Sequence, residues 1–437
     1  MAQYDLIVIG NGSAGDNIAR TLGRKGQRVA VVEREHLGGE CLNDGCIPSK
    51  ALVNLAATAA RERLTWDEVL ARVHGVQLTV RGNDPNGGMR ADGIDLLWGD
   101  ARFETPTTVT VDGRTFEAAT VVVATGTAPS LPPIPGLEDA RPITNRELFH
   151  LPTLPDRLAV IGGGPIGLEL GQALHRLGSR VTIFEALPRI ATTEDAQISL
   201  ELARFMELEG IRVVTGAAIQ RVARNESGGV TVETAHGAHH FDDMLVAAGR
   251  QAQLPGGLAD LGLRLDTRGF IDIDPCGRTN LPGLWAAGDV TGKFLFTHYA
   301  AYQAHHIGKH IEGGLCEPIP DTIVPWAIFT DPEIGHAGMT EEQAREAGHE
   351  VRVGLLEARE LDWFRTTRQP DGFAKVVADA ATGRLLGAHF LCANAATLVG
   401  EASLALNHDL TARDVASTIH PYPTASELFR WACAKAV

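Results

Sequence analysis

The chain has 437 residues, 54 acidic against 39 basic, for a net charge of −15 and no block of Lys and Arg. Nucleic acids and anionic membranes bind clustered cations, so neither is expected as a partner, and the excess acid serves solubility. No run of about 18 apolar residues occurs, and Met-Ala-Gln-Tyr-Asp5 enters the apolar run Leu6–Gly10 without a basic leader. These features predict no spanning helix, no signal peptide and a cytoplasmic protein. The length suggests about three domains.

Taken in chain order, residues 4–33 read as a strand, the turn Gly10-Asn-Gly12-Ser-Ala-Gly15, an amphipathic helix, a second strand and Glu33. The same order recurs at 157–185, with Gly162-Gly-Gly164-Pro-Ile-Gly167 and Glu185. In both, the acid stands 23 positions after the first glycine (33 minus 10, 185 minus 162). A strand, a GxGxxG turn, a helix and then an acid make a dinucleotide site: the glycines admit a pyrophosphate to the helix N-terminus and the carboxylate accepts from a ribose. Two dinucleotides are therefore expected.

Directly behind the first turn comes Gly38-Gly-Glu-Cys41-Leu-Asn-Asp-Gly45-Cys46-Ile-Pro48-Ser-Lys50. Five helical steps span about 7.5 Å, more than the roughly 4.4–6.8 Å between Cα atoms that a disulfide permits, so the pair cannot bridge within a regular helix. Gly38, Gly39 and Gly45 are expected to give the backbone freedom for a tighter turn, and Pro48 suits the first turn of the next helix. The spacing does not fit zinc, and no metal site is expected. Spacing by itself leaves open two reduced cysteines at a helix start. Six cysteines in this length are too few for a disulfide scaffold, so a close pair is more readily catalytic. Cys276, Cys316, Cys392 and Cys433 look isolated and are expected to be packing residues.

Further along, Arg81–Gly93 is polar and Gly-rich and reads as a hairpin or loop. Ala119–Gly126 is an apolar strand ending in Thr125-Gly126, echoed by Met244–Arg250 with Gly249. Between these two strands, 127–142 carries five prolines and fits a linker. Beyond about residue 322 the pattern changes to strands, 373–378 and 384–391, and a long helix from about Ala396, which predicts a separate α+β domain.

Together these motifs resemble the pyridine nucleotide-disulfide oxidoreductases, the flavoprotein family of dihydrolipoamide dehydrogenase, glutathione reductase and mercuric reductase. Gly283-Leu-Trp-Ala-Ala-Gly288-Asp289 is similar to the family's second flavin motif, whose Asp bonds the ribityl chain, and Phe329–Gly335 is similar to the start of its dimerisation domain. The resemblance implies an α/β fold with two Rossmann-like domains, for FAD (1–150 and 268–322) and NAD (151–267), and an α+β dimerisation domain (323–437). It implies FAD on the first fingerprint with Glu33, a nicotinamide on the second, and a homodimer. Glu185 favours NADH, because a carboxylate accepts from a 2′-OH and repels a 2′-phosphate. Cys46 would be the thiol against the flavin and Cys41 the one that meets substrate. Lys50 and Glu169 match an ion pair beside the flavin, in which the cation stabilises the anionic reduced ring; without the resemblance they read as a surface Lys and a helix Glu that never meet.

One stretch departs from the pattern. The family's disulfide reductases carry His-x-His-Pro-Thr-x-Ser-Glu, whose second His serves the partner subunit's disulfide as a base oriented by the Glu. Here His420-Pro-Tyr422-Pro423-Thr-Ala-Ser-Glu427 places Tyr422 at that position. A phenol with a pKa of about 10 is a poor base at pH 7, so dithiol oxidation should suffer. Glu427 is left to accept from the phenol or to serve a helix start, and His420 is the alternative base. Mercuric reductases resemble the chain in having Tyr there, which points to a thiolate-bound metal ion as the small-molecule acceptor. Against a full match, the tail has the single Cys433 where that family has a pair, and no N-terminal metal-trapping domain is seen. His298, His305, His306 and His310 suit a structural or channel role better than a metal site. A disulfide reductase, a quinone reductase and a redox sensor without turnover stand as the alternative functions.

Overall fold

The structure, a computed structural model, describes residues 3–437 apart from 63, 85, 227, 314 and 315. The first apolar run forms β1 (Tyr4–Ile9), followed by α1 (Ser13–Gly23) and β2 (Val29–Glu33). α2 (Gly39–Asn43), α3 (Cys46–Glu62) and α4 (Trp66–Arg81) come next, then β3 (Ile94–Trp98), β4 (Ala101–Thr105), β5 (Thr108–Val111) and β6 (Arg114–Val123). The strands order as β3-β2-β1-β6-β5-β4. The β3-β2-β1-β6 part is parallel, and β4 to β6 form an antiparallel meander. The strand Leu284–Ala286 joins this sheet beside β6, so chain well beyond the second fingerprint returns to the first layer. β1 and β2 are buried on both faces, as parallel strands under helices must be. Arg81–Gly93 contains turns and no strand pairing among its described residues.

The second fingerprint sits in a parallel four-stranded sheet, ordered Arg212–Val214, Arg180–Phe184, Arg157–Ile161 and Asp243–Val246. A three-stranded antiparallel meander from Ile219 to Phe241 accompanies it. The last layer is a five-stranded antiparallel sheet of strands Trp326–Ile328, Glu333–Gly338, Leu385–Cys392, Phe373–Asp379 and Val351–Glu357. Its central strands are almost wholly buried. Helices Ala395–Asn407 and Glu427–Lys435 pack on this sheet, and Ile328, Ile334, Phe373 and Leu391 join the core of the second nucleotide unit. No helix among the described residues is long and apolar enough to cross a membrane.

The cysteines correct one expectation. Cys276 and Cys316 are bridged, with Cα atoms 5.6 Å apart, where isolated packing residues were expected. Forty positions separate them, a spacing that carries no motif. Cys392 and Cys433 are buried, and burial pushes both thiols well up.

Candidate active site

The turn from β2 into α2 depends on glycine: Gly38 and Gly39 have φ of 85° and 58°, in the left-handed region. A Cβ on Gly39 would lie 2.7 Å from the Gly12 Cα, so the cysteine segment is pressed against the first fingerprint. α2 ends at Asn43 and α3 begins at Cys46, and this break replaces the helical rise that would have parted the thiols. Gly45 acts by close approach, not by the conformational freedom expected of it. Its φ is not positive, but a Cβ there would stand 2.9 Å from the Glu40 carbonyl oxygen.

Cys41 and Cys46 therefore lie within hydrogen-bond reach as thiols. The hydrogen bond from Cys41, then that from Thr297, then the Lys50 cation outweigh burial and bring Cys46 down to about 6. The same contact and burial push Cys41 up. Of the pair, Cys46 is thus the thiol biased toward the thiolate and Cys41 the one that holds its proton. Thr297, with Oγ1 3.2 Å from Cys46 Sγ, starts the helix Thr297–Gly313.

Lys50 and Glu169 do meet, Nζ to Oε2, at 2.7 Å. The other Glu169 oxygen accepts from the Phe329 N–H at 2.9 Å, and the Lys50 ammonium lies 4.7 Å from the Phe329 ring centroid. Glu169 is buried and Lys50 half-buried. Removing the cation alone strands a buried carboxylate, so Lys50→Met should cost about 3 kcal/mol, the low end for such a pair because the lysine is partly solvated. Lys50→Met/Glu169→Leu should recover most of that loss in urea unfolding; a double variant no more stable than the single one would contradict the pairing.

A cleft of about 1390 Å³ runs between the two fingerprints and is lined by Gly12, Glu33, Cys41, Cys46, Gly164 and Glu185. Its glycines divide by role. A Cβ on Gly15 or Gly167 would collide at 2.0 Å with the carbonyl of Gly10 or Gly162, which closes each turn on its helix. At Gly12 and Gly164 a Cβ would meet nothing within 4 Å and would project into the cleft, where a pyrophosphate is to fit. Glu33 accepts from the N–H groups of Asn11 (2.9 Å), Arg34 (2.8 Å) and Glu35 (2.9 Å). Glu185 repeats the arrangement with Gly163 (2.7 Å) and Leu187 (2.8 Å). Both carboxylates are thus fixed at their sheet edges. Thr125, Gly126, Gly249, Gly288 and Asp289 also line the cleft. Burial pushes the Asp289 carboxyl up to about 6, and Thr127 Oγ1 donates to it at 3.4 Å. A half-buried carboxylate facing the cleft with one long hydrogen bond suits a ligand hydroxyl. The residues present fit two dinucleotides.

Sequence reading missed Thr297, Glu40, Asn145 and Arg250. Arg250 pairs with Glu40 and donates to Thr127 Oγ1 at 2.7 Å, while Asn145 donates to Glu40 Oε1 at 2.6 Å. The residue before Cys41 is thereby tied to the second nucleotide unit.

At the C-terminus the expected orienting pair does not form within the chain. Tyr422 is 70% exposed and its hydroxyl donates to Asp362 Oδ2 at 2.9 Å, not to Glu427. Glu427 is buried at the start of its helix and accepts from the Thr424 N–H at 3.4 Å. His420 Nε2 lies 2.8 Å from Glu401 Oε1 and Nδ1 3.0 Å from the Thr418 carbonyl, so both of its nitrogens are engaged. The histidines of the long helix have separate partners: His298 bonds the Pro325 carbonyl, His306 packs on Tyr302 and on His305, and His310 is buried against the Cys276 carbonyl.

A cleft that runs from one dinucleotide fingerprint to the other past a thiol pair, backed by an antiparallel sheet domain, defines a flavoprotein disulfide oxidoreductase. The chain matches the pyridine nucleotide-disulphide oxidoreductase family over residues 4–304 and that family's dimerisation domain over 324–433, and it belongs to that family. It is 37% identical to a dihydrolipoyl dehydrogenase of Thermus scotoductus, over 98% of this chain and 96% of the relative. A mercuric reductase of Lysinibacillus sphaericus is 34% identical over 97% of this chain and 81% of its own. Among solved structures, the HOCl-induced flavoprotein disulfide reductase RclA of Escherichia coli superposes with a TM-score of 0.90 at 30% identity, covering 98% and 99% of the two chains. A Cu(II) complex of RclA superposes equally well, at 0.90 and 29% identity over 97% and 98%. The chain is an enzyme of a family that uses FAD with NAD(P)H.

Proposed function

We propose that the chain passes electrons from NADH by way of FAD to Cys41 and Cys46, and from these thiols to a soft metal ion. The observation that carries this reading is the absence of a free base at the expected position. Tyr422 donates a hydrogen bond to Asp362, which pushes the phenol further up, and both His420 nitrogens are engaged, one by Glu401 and one by the Thr418 carbonyl. A disulfide acceptor needs proton transfer in each half of its exchange, whereas a thiophilic ion needs two sulfur donors. The similarity to mercuric reductases and to RclA, of which a Cu(II) complex is known, supports the same class of acceptor.

FAD, when bound, supplies a two-electron carrier between nicotinamide and thiols. Gly12 and Glu33 would hold its adenosine half and Asp289 its ribityl hydroxyls. Lys50, kept charged by Glu169, would set a cation beside the ring. Gly164 and Glu185 would hold NADH. Cys46, as a thiolate held by Thr297, stays at the base of the cleft, and Cys41 becomes the second donor once an ion displaces its proton. In a homodimer Tyr422 and Glu427 would complete the partner's site, and the exposure of Ile419, Tyr422 and Trp431 accords with an interface there.

A direct check is protection. One equivalent of Hg(II) added to the reduced enzyme should block alkylation of both Cys41 and Cys46; continued alkylation of Cys41 would count against a two-thiolate site. For the nicotinamide, Glu185→Ala should lower the NADH-to-NADPH ratio of kcat/KM by about tenfold, through lost ribose contacts and lost repulsion of the 2′-phosphate. A wild-type ratio favouring NADPH would overturn that assignment.

A further inference from the structure

We propose that Cys276 and Cys316 form a second thiol–disulfide pair, chemically separate from Cys41 and Cys46, which small-molecule thiols open and small-molecule disulfides close in the folded protein. The two ends of the bridge differ in access. Cys276 is 1% exposed, whereas Cys316 is exposed. Attack therefore falls on the Cys316 sulfur, and Cys276 is the leaving group.

What surrounds the bridge holds both sides in place without it. Asp274 Oδ1 accepts from the N–H groups of Cys276 and Arg278, each at 2.9 Å, and fixes the turn that carries Cys276. Opposite, the Ile319 N–H donates to the Pro275 carbonyl at 3.0 Å. His310 spans the gap: Nδ1 donates to the Cys276 carbonyl at 3.1 Å, and Nε2 accepts from the Glu317 N–H at 3.4 Å. Opening the S–S bond leaves these contacts, so the thiols stay in register and the bridge can re-form.

The site is remote from the reaction. Thr297, against Cys46, and His310, against Cys276, lie 13 residues apart on one helix (310 minus 297), about 20 Å along its axis. Direct exchange with Cys41 is out of reach, so the reductant comes from outside. With a dithiol, one of its thiolates bonds to Cys316 Sγ as the Sγ–Sγ bond breaks, and Cys276 leaves as a thiolate and takes a proton. The second dithiol sulfur then displaces Cys316. Two electrons have passed to the protein, which gains two thiols, and the dithiol has become a cyclic disulfide. In the closed form residues 316–319, which lead from the long helix toward the last sheet domain, are fastened to the first nucleotide domain.

The test is peptide mapping of the full-length protein, alkylated in the native state before digestion. Without reductant, a peptide joining Cys276 to Cys316 is expected. After dithiothreitol under native conditions the joined peptide should disappear and exposed Cys316 should be alkylated, buried Cys276 reacting only once the protein is denatured, with the far-UV circular dichroism of the reduced protein unchanged; removing the dithiol in favour of oxidised glutathione should restore the joined peptide. Dithiothreitol should lower Tm in the wild type to that of Cys276→Ala/Cys316→Ala and move that variant little. A bridge that opens only on unfolding, or no joined peptide at all, would overturn the proposal. So would a stoichiometric metal ion held by the reduced pair in native mass spectrometry, since Asp274 and the two sulfurs lie within 4.8 Å of one another and would then form a metal site. If the double variant does not fold, the wild-type mapping decides alone.

Discussion

Cys46→Ser should abolish the thiolate that titrates near pH 6, while Cys41→Ala, which leaves no donor at that position, should keep it at a shifted midpoint. The sign follows from the contacts: Cys46 is held down to about 6 chiefly by the hydrogen bond from Cys41, so its thiolate appears as pH rises through about 6 and is protonated below. Losing the Cys41 thiol leaves Thr297 and Lys50 against burial, and the midpoint should rise toward the ordinary thiol range near 8.5. The rate of iodoacetamide alkylation against pH, with the ultraviolet absorbance of the thiolate, reads this with or without cofactor. Either variant should lose nearly all metal-ion reduction, because one sulfur cannot make the two-thiolate site. Wild-type alkylation with a midpoint near the ordinary thiol value would show that the stabilising contacts are ineffective.

Tyr422→His should raise dihydrolipoamide oxidation by about 10²- to 10⁴-fold, the contribution of a positioned acid–base group. The structure changes which carboxylate matters. Asp362 already accepts a hydrogen bond from the Tyr422 hydroxyl at 2.9 Å, whereas Glu427 faces its own helix start. A new imidazole should therefore depend on Asp362 at least as much as on Glu427, and Tyr422→His/Asp362→Asn should give up most of the gain. Metal-ion reduction should respond little to these changes. Assays of single and double variants with dihydrolipoamide and NAD⁺ decide the matter: no gain from Tyr422→His alone would mean that the base position is not limiting.

The parts of the site that were legible in the sequence are those whose chemistry constrains neighbours along the chain. A pyrophosphate at a helix N-terminus needs glycines at fixed offsets, so Gly10, Gly12 and Gly15, and again Gly162, Gly164 and Gly167, announce themselves, and the β-strand period places Glu33 and Glu185 beyond them. The Cys41–Cys46 spacing is legible for a similar reason, since a pair that close must break its helix to meet. Contacts made by remote elements leave no such trace. Thr297 reaches Cys46 across 251 positions, Arg250 reaches Glu40 across 210 and Asp362 reaches Tyr422 across 60. Lys50 and Glu169, 119 positions apart, were found only through resemblance. Gly45 shows a subtler limit: it was expected to give the backbone freedom for the turn, but what requires glycine there is a carbonyl oxygen 2.9 Å from where a Cβ would stand, which only packing reveals.

In the proposed reaction electrons leave through Cys41 and Cys46 to an acceptor that needs thiolates but no proton shuttle. Anaerobic oxidation of NADH by the FAD-loaded enzyme, with Hg(II), Cu(II), lipoamide, glutathione disulfide and a quinone as acceptors, tests it most directly. A thiophilic ion should be reduced at least about 10²-fold faster than lipoamide, the lower bound for a missing acid–base group, and Cys41→Ser should remove this activity. Wild-type reduction of lipoamide at a rate matching that of the metal ions, or metal reduction that survives Cys41→Ser, would contradict it.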